Sequence, residues 1–215
     1  MERYAFAMEI IRGKEHSFRE ALGRTWPEIT AFLDRNGLHN FSLWSCSGLA
    51  FGYAEGQEGQ QLSGKEHAVL SDLVEAFSGL VCWLAEPGEG MELMYHDFGI
   101  VREDKSLIRH RMFMTRLKPG CAREYKARHQ ALIEARGGVP DPGPDSNFSI
   151  WSAGGYIFGY DEIDTTMEQE ETPEAHAATV AWETRQLEIM DWITNDCDWL
   201  TGQVHPASTR LAWHL

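Results

Sequence analysis

The sequence predicts an α+β fold built from two tandem copies of one β-α-β-β-α-β unit, and three observations carry that prediction. First, NFSLWSCSGLAFGY, from Asn40 to Tyr53, aligns without a gap to NFSIWSAGGYIFGY, from Asn147 to Tyr160, with nine identities at an offset of 107 residues. Repeats of this kind are read before any single motif, because they set the architecture. Second, the same offset carries Phe6 to Phe113, so the register holds from the first segment of each copy. Third, LMYHD from Leu93 corresponds to LAWHL from Leu211 at an offset of 118, so the second copy holds additional residues. They are expected in the acidic run DTTMEQEETPEAH.

Each copy reads as the same series. RYAFAMEII and RMFMTRLK have strand composition, and a turn follows at Gly13 or at Pro119-Gly120. A helix opens near Ser17 or Ala122, and two strands then meet at Ser47-Gly48 or Gly154-Gly155, a hairpin signal. Apolar residues at helical spacing, among them Val69, Leu73, Phe77 and Leu80, predict a second helix over 65–84, with its counterpart over 174–194. A final strand, MELMYHDFGIV or TRLAWHL, is expected to close its own unit. This order is the split βαβ unit of ferredoxin-like folds, which leaves one sheet face in need of cover. The expected units are 1–103 and 108–215, joined by a linker at REDKSL and forming a pseudo-dimer within one chain.

Composition narrows the function. The 215 residues carry 33 acidic against 19 basic side chains, a net charge of −14, which argues against nucleic acid and anionic membrane surfaces as partners. The four cysteines lie far apart and form no CxxC or Cys/His cluster, so neither a metal site nor a disulfide framework is expected. Without an export or membrane-spanning signal, a cytoplasmic protein with reduced thiols is expected.

The copies differ at one informative place. The second reads EYKARH from Glu124 where the first reads SFREAL from Ser17, so Tyr125 and His129 stand where Phe18 and Leu22 stand. Four residues apart on a helix, the tyrosine and histidine share one face. Along the next strand Asn147, Ser149 and Trp151 also share a face, and its polar groups are candidates to bind a substrate together with Asp161. Asn40, Ser42 and Trp44 recur in the copy that lacks the pair, so a structural role is equally open. Trp213 and His214 match Tyr95 and His96, and Trp213 is a further candidate for substrate contact. Trp182, Trp192 and Trp199 fall on or after a helix and are expected in the core.

MFMTRLKPGCAREYKARH from Met112 to His129, with NFSIW and YIFGYDE after it, resembles the L-rhamnose mutarotase family of dimeric α+β barrels. The resemblance covers most of both halves and is densest in the second. It implies a pseudo-dimeric barrel, a monosaccharide substrate and no cofactor. It also implies that Tyr125 and His129 belong to the site where the anomeric carbon is turned over. A histidine serves as acid or base near neutrality, and a tyrosine orients an oxygen. Arg116, before LKPG, matches an arginine that anchors the family's turn.

There are departures. The family is usually a single short unit forming a homodimer, and further pairing of this fused chain is left open. TWPEI survives only in the first half, and Gly137-Gly138 with Pro140, Pro142 and Pro144 should end the second half's first helix early. The family's paired tryptophans on its second helix have no evident counterpart, with Ile189 and Met190 in that region. Three readings follow: a mutarotase for L-rhamnose or a related 6-deoxy sugar; another cofactor-independent enzyme acting on a hydrophobic metabolite, such as an isomerase, cyclase or monooxygenase; and a non-catalytic ligand-binding protein.

Overall fold

In a computed structural model, residues 1–59, 62–97, 99, 101–102, 104–140, 143–168, 170, 172–194 and 207–215 are described. The first half runs β1 (Glu2–Ile10), α1 (Glu15–Arg35), β2 (His39–Cys46), β3 (Leu49–Gly56), α2 (Gly64–Glu75), β4 (Val81–Ala85) and β5 (Glu92–Asp97). After a 3-10 turn at Lys105–Leu107, the second runs β6 (Ile108–Leu117), α3 (Ala122–Ala135), β7 (Asp145–Ala153) and β8 (Tyr156–Asp164). It continues with α4 (Pro173–Gln186), β9 (Met190–Thr194) and β10 (Thr209–His214). The class is α+β, as the sequence predicts.

Local chemistry explains the elements. Both hairpins turn through two residues of positive φ, Ser47 at 53° and Gly48 at 81°, then Gly154 at 59° and Gly155 at 82°. That is the geometry that matches strand twist. Ser63 accepts the Glu66 N–H to cap α2, and Thr172 accepts the Ala175 N–H to cap α4, whose first residue is Pro173. α3 has 14 residues against 21 in α1, and stops before the Gly137-Gly138 pair, as expected.

Three sequence expectations are corrected. Both second helices are shorter than their apolar spacing suggested. After α2 the chain turns at Gly79, φ 70°, and then forms β4, which pairs with β1; β9 pairs with β6 in the same way. Val81-Cys82-Trp83-Leu84 continues the apolar spacing of the helix, and periodicity alone does not separate a short buried strand from a helix end.

Second, each closing strand joins the sheet of the other half. One antiparallel sheet has the order β10-β2-β3-β1-β4 and the other β5-β7-β8-β6-β9. The compact units are therefore Met1–Met91 with Thr209–Leu215, and Glu92–Ser208, in place of 1–103 and 108–215. Sequence similarity between LMYHD and LAWHL reports equivalent strands and carries no information about which sheet receives them.

Third, the additional residues lie mainly elsewhere. Leu117 pairs with Met190 where Ile10 pairs with Val81, so the offset has grown only from 107 to 109 by the end of the second helix. The remaining nine of the eleven fall between β9 and β10, beyond the acidic run.

In each unit the helices cover one sheet face. Phe18, Leu22 and Leu33 of α1 pack on Met8, Phe41 and Leu43, while Tyr125 of α3 packs with Phe113, Ile150 and Ile157. No helix among the described residues is long and apolar enough to cross a membrane.

Candidate active site

α3 starts after the Pro119-Gly120 turn and lays Tyr125 and His129 on its sheet-facing side, 2% and 6% exposed. Their ring centroids are 4.2 Å apart. His129 Nδ1 lies 2.9 Å from the Tyr125 carbonyl oxygen. A carbonyl only accepts, so Nδ1 carries the proton and Nε2 keeps its lone pair. Tyr95 and Trp182 flank the imidazole, each with its ring centroid 5.3 Å away. Burial lowers the His129 pKa to about 4, against the opposing pull of that carbonyl. Burial and the nearby Glu183 charge push the Tyr125 phenol up, so it stays protonated.

α4 carries Glu183, whose charge reaches Tyr125, and Gln186 three residues further along the same side, both buried. Glu183 Oε2 and both amide atoms of Gln186 make no hydrogen bond among the described residues. Burial raises the Glu183 pKa to about 7, with the Arg111 guanidinium opposing. Arg111 on β6 sits directly across from Asp161 on β8, Nη1 to Oδ2 at 4.0 Å. The Asp161 carboxyl is raised well above the usual range by burial and then by the charge of Asp145. A polar line thus runs from Asp145 through Asp161, Arg111 and Glu183 to Tyr125.

A cavity of about 380 Å³ lies beside this line, lined by Tyr95, Phe148, Asp145 and the Asp97–Arg136 ion pair. His129 is outside its lining, one ring behind Tyr95. Asp161 stands behind Asp145 in the same way.

Only part of the expected site assembles here. Tyr125, His129 and Asp161 share the helix side of the sheet, whereas Asn147, Ser149 and Trp151 face the opposite side. Asn147 Nδ2 donates to Glu162 Oε1 at 3.1 Å, and the Tyr160 hydroxyl donates to the same oxygen at 2.9 Å. The Trp151 indole N–H donates to Ser149 Oγ at 3.0 Å. Asn40 and Tyr53 hold Glu55 identically, at 3.0 and 2.9 Å, so this arrangement is scaffolding common to both halves.

Trp213 lies on β10 in the first unit, 46% exposed under the Arg210 guanidinium. It is therefore absent from the unit that holds His129, because its strand closes the other sheet. His214 pairs with Asp34 at 2.7 Å, and Arg116 donates to the Tyr156 hydroxyl at 3.1 Å. Trp182, expected in the core, is half-buried and stands edge-on to His129, so α4 does supply a tryptophan here. Trp199 and Cys197 lie outside the described residues.

Sequence reasoning missed Glu183, Gln186 and Arg111, and with them Thr115, whose buried hydroxyl shares the Arg111 face of β6 and makes no hydrogen bond among the described residues. The signal was present in the comparison between copies. At an offset of 107, Arg111 corresponds to Tyr4, Thr115 to Met8 and Asp161 to Ala54, as Tyr125 does to Phe18 and His129 to Leu22. At 109, Glu183 corresponds to Val74 and Gln186 to Phe77. The bonds Leu80 N–H to Phe77 O and Ile189 N–H to Gln186 O confirm that second register.

A family model described as L-rhamnose mutarotase matches residues 3–72 and 110–209. The chain belongs to the L-rhamnose mutarotase family. One matched segment falls in each half, so this is a tandem member of the mutarotase family. No curated protein matches the chain. A solved structure from Fusobacterium nucleatum, named as a presumed monooxygenase, is similar over 99% of this chain and 93% of its own. The identity is 9% and the TM-score 0.47. Of the two halves, only the second carries the Tyr125/His129 pair.

Proposed function

We propose that the second half is a cofactor-independent mutarotase site that interconverts the anomers of L-rhamnose or a related 6-deoxy aldose. The observation that carries this reading is the confinement of one polar set, Tyr125, His129, Glu183, Gln186, Arg111 and Asp161, to the helix side of one unit. Buried polar atoms without protein partners are costly, and a polyhydroxylated ligand is suited to satisfy them. The cavity lined by Asp97, Arg136 and Asp145 is the entry for such a ligand, with Tyr95 as the wall it shares with His129.

The chemistry balances within the site. Neutral His129 takes the proton of the anomeric hydroxyl at Nε2 while the Glu183 carboxyl gives its proton to the ring oxygen. The bond between the anomeric carbon and the ring oxygen breaks, leaving the open-chain aldehyde. After rotation about the C1–C2 bond, the hydroxyl returns its proton to Glu183 and attacks the other carbonyl face. The His129 imidazolium reprotonates the former carbonyl oxygen. Two groups with pKa values near 4 and near 7 suit these roles, one a base and the other partly an acid at neutrality. The Tyr125 hydroxyl remains protonated and donates to an oxygen that gains negative charge.

Saturation transfer between the anomeric protons of L-rhamnose, L-fucose and other aldoses tests the reading. Wild type should accelerate interconversion, and His129→Ala should lose roughly 10²- to 10⁴-fold of that rate. Absence of acceleration with every aldose, in a folded chain, would overturn it.

A further inference from the structure

The first unit has a cavity of its own. It occupies about 370 Å³ between the helix face of the sheet and the two helices. Phe6, Met8 and Phe41 line it from the strands, Phe18 and Leu22 from α1, Leu70, Leu73 and Val74 from α2, and Phe77 from the turn after it. Arg111, Thr115, Tyr125, His129, Asp161, Glu183 and Gln186 correspond in this lining to Tyr4, Met8, Phe18, Leu22, Ala54, Val74 and Phe77. Six of those seven are apolar. The site has been emptied of its acids, base and amide together, and the space between helices and sheet has been kept.

Retaining the space is informative, because an unfilled cavity destabilises a fold in proportion to its volume and larger apolar side chains readily close one. Among the described residues the lining contains no carboxylate, lysine or arginine, and Tyr4, His67 and the Trp83 indole supply its polar side-chain atoms. Exposed His67 and Gly88 mark its mouth. Apolar cavities stay dry and take hydrocarbon ligands, benzene filling about 150 Å³. The volume here accommodates on the order of a dozen non-hydrogen atoms by the same measure.

We infer that the first unit is a binding site for a neutral, largely hydrocarbon small molecule, one or two rings in size, whose single polar group points toward Tyr4 or His67. The site stands independently of the sugar chemistry in the second half.

The test is titration of the full chain with 2-naphthol, a neutral two-ring probe with one hydroxyl, alongside naphthalene-2-carboxylate. One saturable site per chain is expected for 2-naphthol, with Kd on the order of 10 µM. The carboxylate should bind at least tenfold more weakly, because no cation awaits it. Leu70→Trp, at the half-buried edge of the lining, should weaken 2-naphthol at least tenfold, while His129→Ala leaves it unchanged. Methyl resonances of Leu22 and Leu73 should shift on binding while those of Ile150 and Ile157 stay, which locates the site even if the tryptophan variant fails to fold. No saturable binding up to the solubility of 2-naphthol would overturn the inference, as would equal binding of the carboxylate or shifts confined to the second unit.

Discussion

Tyr125 holds His129 twice, by its ring at 4.2 Å and by its own carbonyl oxygen at 2.9 Å from Nδ1. One helical turn therefore sets both the position and the tautomer of the imidazole. Burial then keeps the ring neutral down to a pKa of about 4.

The rate should accordingly show a bell in pH. It rises near 4 as His129 loses its proton and falls near 7 as Glu183 loses the one it donates. Glu183→Gln should lower the maximum and abolish the alkaline fall while retaining the acid limb, measured as catalysed anomer interconversion from pH 3.5 to 9. An unchanged alkaline limb would remove Glu183 from the reaction.

Stability carries the same two groups with opposite signs. His129 binds its proton more weakly folded than unfolded, so its contribution to stability increases from about pH 4 to 6.5. Glu183 holds its proton more tightly folded, so its contribution decreases from about pH 4.5 to 7. Over most of that interval they offset one another. Glu183→Gln removes that fall and leaves every other titrating group in place, so its stability from urea unfolding should change between pH 4 and 6.5 more favourably than that of wild type, by roughly 3 kcal/mol.

Gly159 owes its identity to a close approach. A Cβ there would come within 2.0 Å of the Phe113 ring, as one at Gly52 would to Phe6. Gly159→Ala should cost about 1–3 kcal/mol by overpacking, seen as a lower thermal midpoint. Phe113→Leu in the same chain should recover part of it, because the smaller side chain vacates the space.

Lys105 and Asn147 should act on stability and leave the site alone. Burial alone raises the Glu162 carboxyl, but Lys105 at 2.6 Å together with the hydrogen bonds from Asn147 and Tyr160 outweighs this and holds it below its usual range. Lys105→Met strands that buried charge and should cost about 3 kcal/mol. Asn147→Ala should likewise lower the unfolding midpoint while leaving the KM for a sugar unchanged. A raised KM in Asn147→Ala would return that strand face to substrate binding.

The repeat made the order of elements legible, because residues such as Gly154-Gly155 and Thr172-Pro173 act locally through backbone conformation and capping. Tyr125 and His129 were legible because a polar pair on one copy faced an apolar pair on the other. Glu183 and Gln186 were not, because their partner segment is shifted by two residues, and the shift became visible only through the pairing of Met190 with Leu117. That Asn147 faces away from Tyr125 and His129 was not legible, because alternation gives two faces and does not say which one the helices cover. The sheet that receives each closing strand is a non-local choice that no local pattern encodes.

That choice has a consequence for synthesis. β2 is made early, yet its edge is paired by β10, which is translated only after β6 to β9, while β5 emerges before β7 exists. A nascent first half therefore leaves the ribosome with an open strand edge, a template for pairing with another chain. Loss of residues 209–215 alone injures the half that was synthesised first. Dividing the gene at its repeat boundary would give two fragments that each need the other's final strand.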